Sequence, residues 1–91
     1  MKDLLLCIDV GNTHTVLGIF SNRRITSRWR IHSDRDRTAD EYIHLIKDLL
    51  RGNGIDTASL MGTAISCVVP PARQALIEMS RSCFGIEPMV V

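Results

Sequence analysis

The first strong pattern in the chain is a continuous apolar run over Leu4–Val10 that is broken only by Asp9. A half-exposed strand would alternate polar and apolar residues, so this run predicts a strand that is buried on both faces. A polar turn at Gly11-Asn12 then leads into a second apolar run that ends at Phe20. The pattern therefore predicts two strands joined by a short turn.

The next segment predicts an edge strand. It follows a turn at residues 21–23, and its residues 24–31 alternate between apolar and polar or basic side chains. The side chains expected on its apolar face are those of Ile25, Ser27, Trp29 and Ile31. The connections between these three strands are too short for crossover helices, so we expect an antiparallel meander.

Two helices and two more strands are predicted downstream. Thr38 and Glu41 have the spacing of a capping box, an apolar stripe then runs to Leu50, and Gly52-Asn53-Gly54 ends the helix. The capped helix is expected to be structural. A buried strand over residues 62–69 precedes Pro70-Pro71, because proline cannot continue a central ladder. The second helix is expected to bury Ala72, Leu76, Met79 and Cys83, before a last strand at residues 86–91.

This order of elements, β-β-β-α-β-α-β, constrains the topology. Right-handed crossovers from an antiparallel meander into parallel strands predict a mixed α/β sheet of order 3-2-1-4-5, with strand 2 antiparallel. Ligands of such sheets bind beyond the carboxyl ends of the central strands. Residues 9–13 fall at that edge, so we expect the site there.

Asp9 is the candidate residue with the clearest chemistry. A buried, unpaired carboxylate is costly, so its place near the end of a strand indicates a cleft, a metal or a hydrogen-bond donor beside it. Gly11 allows close backbone approach and Asn12 tolerates a left-handed conformation, so the turn could cradle phosphate, with the hydroxyls of Thr13 and Thr15 nearby. Mg²⁺ would relieve the repulsion between Asp9 and a phosphate. The alternative is an ordinary hairpin in which Asp9 accepts hydrogen bonds from the turn.

Composition excludes several classes of protein. The 91 residues allow one domain, and the net charge of +1 gives no reason to expect a nucleic-acid partner. The basic cluster is interleaved with aspartates and is expected to guard an edge strand; it comprises Arg23, Arg24, Arg28, Arg30, Arg35 and Arg37. Three cysteines without a C-x-x-C pair indicate a reduced, cytoplasmic setting, and no segment is apolar enough for a membrane span.

Three motifs in order carry a resemblance to a known family. They are DVGNTHTVLGIF after the first strand begins, RTADEY before the first helix and ISCVVPP at the fourth strand. The order of elements resembles the ribonuclease H-like half-domain of the actin, sugar kinase and acetate kinase superfamily. Within it, the motifs are similar to those of type III pantothenate kinase. The resemblance covers the whole chain and implies ATP-dependent phosphorylation of pantothenate, the first step of coenzyme A synthesis.

The resemblance also implies roles for residues and partners. The ATP-binding segment would be Asp9, Val10, Gly11, Asn12, Thr13, His14, Thr15 and Val16, with Asp9 acting through Mg²⁺. A monovalent cation, K⁺ or NH₄⁺, is also implied, as is a homodimeric parent protein. The family's Gly-x-Asp-Arg segment, with its catalytic Asp, and its second Asp-x-Gly-Thr motif have no counterpart here.

Residues 1–91 are therefore expected to be the N-terminal half-domain of a longer protein, with the second half absent. Two alternatives remain: a non-catalytic transcriptional accessory protein of the same fold, and a structural half-domain whose Asp9 turn binds nothing.

Overall fold

The computed structural model describes residues 3–91 and contains one five-stranded sheet with two α-helices. The strands are β1 (Leu4–Val10), β2 (His14–Ser21), β3 (Arg24–His32), β4 (Leu60–Cys67) and β5 (Met89–Val90). The helices are α1 (Ala39–Gly52) and α2 (Pro70–Met79), with a 3₁₀ turn at Thr57–Ser59 and a π-helical turn at Ser80–Phe84.

The strand order is β3-β2-β1-β4-β5, which confirms the predicted topology. β2 runs antiparallel to both β1 and β3, whereas β4 runs parallel to β1 and to β5. β3 is an edge strand, as its arginines predicted. The carboxyl ends of β1 and β4 lie side by side, since Val10 pairs with Cys67.

One face of the sheet packs against both helices. Leu6, Ile8 and Val10 of β1 are almost fully buried and join a single apolar core with the buried side chains of α1 and α2. The opposite face, which we call the open face, carries the alternate residues of β1, of which Leu5 is 39% exposed and Asp9 is exposed. The expectation that β1 is buried on both faces is therefore wrong for the described residues, because their helices cover one face only.

A register shift between Ile19 and Phe20 changes one face of β3. Beyond the shift, Ser27, Trp29 and Ile31 are half-buried as predicted. Ile25 instead pairs with Phe20, is 54% exposed and lines a cleft on the open face. Its predicted place on the apolar face was wrong, because an extra residue in one strand reverses which side chains face the core.

The end of α2 also differs from the prediction. The helix stops at Met79 and the chain continues through the π-helical turn, which Gly85 ends at φ +65°. Ser80 is fully buried and donates to the carbonyl oxygen of Ile86 at 2.7 Å, so Thr63 donates in turn to Ser80 at 2.6 Å. β5 is shorter than expected, and it begins directly after Pro88, which has no N–H to donate to a ladder.

None of the helices in residues 3–91 is long and apolar enough to cross a membrane. The described cysteines are all free thiols.

The predicted capping box at the start of α1 is present. The backbone N–H of Glu41 donates to the Thr38 hydroxyl at 3.1 Å, and the N–H of Thr38 donates to the Glu41 carboxylate at 2.9 Å. Tyr42, Ile46 and Leu50 then form the buried stripe of the helix. These contacts give Thr38 a structural role.

We predict that Thr38→Ala lowers the free energy of unfolding by about 0.5 to 2 kcal/mol, because one amide at the helix start loses its acceptor. Chemical denaturation of the chain measures the change, and Thr38→Ser, which keeps the hydroxyl, should stay close to the parent. Nucleotide affinity of the longer protein should hardly change. Equal denaturation midpoints with a collapse of ATP binding would contradict the structural role.

Candidate functional site

The turn between β1 and β2 is closed by one backbone hydrogen bond, from the N–H of Gly11 to the carbonyl oxygen of His14 at 2.9 Å. Asn12 and Thr13 form the tip and are exposed. Asn12 does not take up a left-handed conformation; positive φ angles among the non-glycine residues described occur instead at Asn22 and Arg23. Gly11 matters for space, since a Cβ there would lie 3.2 Å from the His14 oxygen.

Asp9 lies on the open face at the carboxyl end of β1. It pairs with Val16 on β2 and with Ser66 on β4, so these two side chains are its neighbours on that face. Its side chain takes part in no hydrogen bond or ion pair within residues 3–91. The hairpin alternative, in which Asp9 accepts hydrogen bonds from the turn, finds no support in these contacts. An exposed carboxylate without a protein partner is available to a cation or a ligand.

Predicted site residues line two clefts. The first, of about 360 Å³, lies beyond the carboxyl ends of β1 and β4 and includes Asn12, the loop after β3 and the first turn of α2. Its lining residues are Val10, Asn12, Ser33, Asp34, Arg35, Val68, Val69, Pro70, Pro71 and Ala72. The second, of about 320 Å³, lies on the open face and is lined by Cys7, Ile8, Asp9, Val16, Gly18, Phe20, Ile25 and Arg28.

The structure thus distributes the predicted site residues between these two clefts. Asp9 and Val16 face the open-face cleft, while Val10 and Asn12 line the cleft at the carboxyl ends. Val10 is 2% exposed and belongs to the core. His14 is exposed where it begins β2, opposite His32.

Thr15 is fully buried, and its hydroxyl lies 2.9 Å from the hydroxyl of Ser33. Ser33 also donates its hydroxyl to the carbonyl oxygen of Gly11 at 2.7 Å and its backbone N–H to that of Thr13 at 2.8 Å. The Thr15 hydroxyl is therefore occupied within the protein, and Asn12 and Thr13 carry the exposed polar side chains of the turn.

Sequence reasoning missed Ser33 and Ser66. Ser33 follows the predicted third strand in a segment rich in charged residues, and Ser66 lies within an apolar strand. The available signal for Ser66 was strand order, because a parallel neighbour of β1 must place one residue beside Asp9. For Ser33 the available signal was its position directly after β3, because β3 pairs with β2, the strand that follows the turn.

Asp9 could contribute one carboxylate ligand to a cation. Within residues 3–91 no three His, Cys, Asp or Glu side chains cluster as a metal site. Cys7 lies next along the same face, and burial raises the pKa of its thiol, so it stays protonated at neutral pH. One carboxylate with phosphate oxygens is a donor set that suits Mg²⁺.

Several solved structures share this fold. YeaZ from Pseudomonas aeruginosa superimposes with a TM-score of 0.66 at 16% identity, over 98% of this chain and 42% of that one. The ROK hexokinase from Thermus thermophilus gives 0.66 at 15% identity, over 97% and 34%. A Bacteroides thetaiotaomicron protein with an actin-like ATPase fold gives 0.62 at 5% identity, over 99% and 33%. These likenesses confirm the predicted ribonuclease H-like fold.

Sequence relatives are more specific. A type III pantothenate kinase from Roseiflexus sp. (strain RS-1) is 42% identical over 97% of this chain and 34% of its own length. Another from Geotalea uraniireducens (strain Rf4) is 46% identical over the same shares. The chain thus spans about a third of the curated relatives it matches. The sequence profile of type III pantothenate kinase matches residues 5–91, and the chain belongs to that family.

Proposed function

We propose that residues 1–91 are the N-terminal half-domain of a longer kinase that uses ATP to phosphorylate pantothenate to 4′-phosphopantothenate, the first step of coenzyme A synthesis. The observation that carries the proposal is Asp9, an exposed carboxylate with no protein partner in residues 3–91, at the carboxyl end of the central strand of a type III pantothenate kinase chain. Because the chain spans about a third of its relatives, the activity is assigned to the longer protein.

The open face supports a half-domain. Leu5 and Ile25 are 39% and 54% exposed there, and Cys7 and Phe20 are only half-buried. Apolar side chains on a sheet face are stabilised when a further layer removes them from water. Residues of the longer protein outside this chain would provide that layer.

The segment Asp9–Val16 is proposed to bind ATP. Gly11, Asn12 and Thr13 would lie at the phosphates, since the turn is exposed and a side chain at position 11 would crowd it. Within residues 3–91 the backbone N–H groups of Asn12 and Thr13 donate to no other backbone group, so they are available to an anion. Val10, Thr15 and Val16 would support the turn from the core and from β2.

The donor set fits Mg²⁺ held between the Asp9 carboxylate and the phosphates, directly or through water. When bound, Mg²⁺ neutralises charge that would otherwise repel between the two groups. A monovalent cation, K⁺ or NH₄⁺, belongs to the same proposal, although we assign no residue of this chain to it. The carboxylate that orients the pantothenate hydroxyl is expected outside residues 1–91.

The longer protein is further proposed to be a cytoplasmic homodimer whose partners are ATP and pantothenate rather than nucleic acid or membrane. An assay of ATP-dependent pantothenate phosphorylation by the purified longer protein tests the central claim. Retention of the fold without any pantothenate-dependent ADP release would refute it.

We predict that Asp9→Asn in the longer protein lowers the rate to below about a hundredth of the parent value, since a pair of charges about 4 Å apart is worth roughly 4 kcal/mol at an effective dielectric of 20. The amide is nearly isosteric, so the unfolding midpoint should change little. Steady-state rates against Mg²⁺ concentration measure the effect. Asp48→Asn, at an exposed position on α1, is the matched control. Parent-like rates of Asp9→Asn at saturating Mg²⁺ would remove Asp9 from the metal site.

We also predict that residues 1–91 alone do not phosphorylate pantothenate, even with ATP, Mg²⁺ and K⁺. The chain would contribute one phosphate turn and one carboxylate, while general-base assistance alone is worth about 10²- to 10⁴-fold. A coupled ADP-release assay on the purified chain provides the measurement. Pantothenate-dependent turnover that Asp9→Asn abolishes would show that the catalytic centre lies within this chain.

A further inference from the structure

Ser33 contacts the Asp9–Val16 segment at three points. Its hydroxyl lies 2.7 Å from the carbonyl oxygen of Gly11 and 2.9 Å from the hydroxyl of Thr15, and its N–H lies 2.8 Å from the carbonyl oxygen of Thr13. A serine hydroxyl has one proton, and a carbonyl oxygen can only accept. Ser33 therefore donates to Gly11, and Thr15 donates to Ser33.

These bonds determine how two peptide groups of the turn are oriented. Residues 3–91 contain no cis peptide bond, and in a planar trans peptide the C=O and the following N–H point in opposite directions. Because the Gly11 carbonyl points to Ser33, the N–H of Asn12 points away from Ser33. The Thr13 carbonyl is held in the same way, so the N–H of His14 also points away.

The consequence for an anion is electrostatic. A turn that binds phosphate must present N–H groups to it and keep carbonyl oxygens turned away, because the oxygens carry partial negative charge. A free turn of this length could rotate its peptide groups and expose either end. The contacts of Ser33 with Gly11 and Thr13 remove that freedom before any ligand arrives.

We propose that Ser33 is a positioning residue for the phosphate-binding turn, which it preorganises by holding the carbonyl groups of Gly11 and Thr13 away from the bound anion. Thr15 supports it by donating to its hydroxyl from a fully buried position. This inference rests on the proposed function, in that the anion is taken to be the phosphate chain of ATP. Such preorganisation increases the affinity for the anion, because the turn is already ordered in the folded protein and binding need not order it.

The test compares Ser33→Ala, Ser33→Thr and Ser82→Ala in the longer protein. Ser82 is an exposed serine whose hydroxyl also donates to one backbone carbonyl, that of Glu78 at 2.8 Å, so it is a matched control. We expect Ser33→Ala to raise the KM for ATP about tenfold, because an unpaired carbonyl is left in the turn. The KM for pantothenate should stay near the parent value, whereas the unfolding midpoint should fall modestly, because the buried Thr15 hydroxyl and the Gly11 carbonyl each lose a partner. Ser33→Thr, which keeps the hydroxyl, should restore the ATP kinetics, and Ser82→Ala should have no effect.

Several outcomes would overturn the inference. One is an unchanged KM for ATP in Ser33→Ala. Another is a fall in the unfolding midpoint together with equal increases in the KM values for ATP and pantothenate, none of which Ser33→Thr restores. That pattern would indicate a general structural defect. If Ser33→Ala does not fold, Ser33→Cys replaces it, with a weak donor of similar size and the same expected direction of change.

Binding measurements separate this inference from the proposed function. If the longer protein fails to phosphorylate pantothenate but binds Mg-ATP, calorimetry should still give about tenfold weaker binding for Ser33→Ala than for Ser82→Ala. The proposed function would then fail while the role of Ser33 is supported. If the parent protein binds no Mg-ATP, both are overturned. If it is active and the affinity for Mg-ATP is equal in both variants, the role of Ser33 alone is overturned.

Discussion

β1 pairs with a neighbouring strand on both sides along its seven residues, antiparallel to β2 and parallel to β4. Its alternate side chains Leu6, Ile8 and Val10 are 2% exposed or less and belong to one apolar core with the buried side chains of both helices. Moving the strand by one residue would place Asp9 in the apolar core, where an unpaired carboxylate costs several kcal/mol. The burial of β1 therefore places Asp9 on the open face, at the end of the strand and directly before the turn.

Much of this arrangement follows from local sequence rules. The cap at Thr38, the stop at Gly54 and the proline start of α2 each depend on one or two side chains, so they were predicted correctly. Strand order followed from connection lengths and crossover handedness. The predictions that failed depend on the pairing register of β2 and β3. If the pairing continued from the Asn22-Arg23 turn without a bulge, His32 would lie opposite Thr13. The register shift between Ile19 and Phe20 places Ser33 opposite Thr13 instead.

The apolar run in β1 was interpreted too simply for the described residues. Leu5 and Cys7 are as apolar as the side chains that face the core, but the two helices cover the other side of the sheet. A hydrophobic pattern predicts which side chains are buried in the complete protein. The structure of residues 3–91 shows only the burial that these residues themselves provide. The same difference explains why Asp9 could be singled out from sequence but its partners could not. Under the proposed function these partners would be a cation, a nucleotide and residues outside this chain.

Asp9 and the turn pose opposite electrostatic problems that must be solved a few residues apart. The carboxylate repels a phosphate, and at about 4 Å and an effective dielectric of 20 that repulsion is roughly 4 kcal/mol, so a phosphate bound beside Asp9 would require a cation between them. The turn attracts a phosphate only while its N–H groups face it, and its own carbonyl oxygens would cancel that attraction if they turned inward. Under the proposed function a bound cation would solve the first problem and covalent geometry the second, because a hydrogen bond to one end of a peptide group orients the other end. Ser33 supplies that bond from another part of the chain, and the loop after β3 also lines the cleft at the carboxyl ends, so under the proposed function this loop would belong to the site.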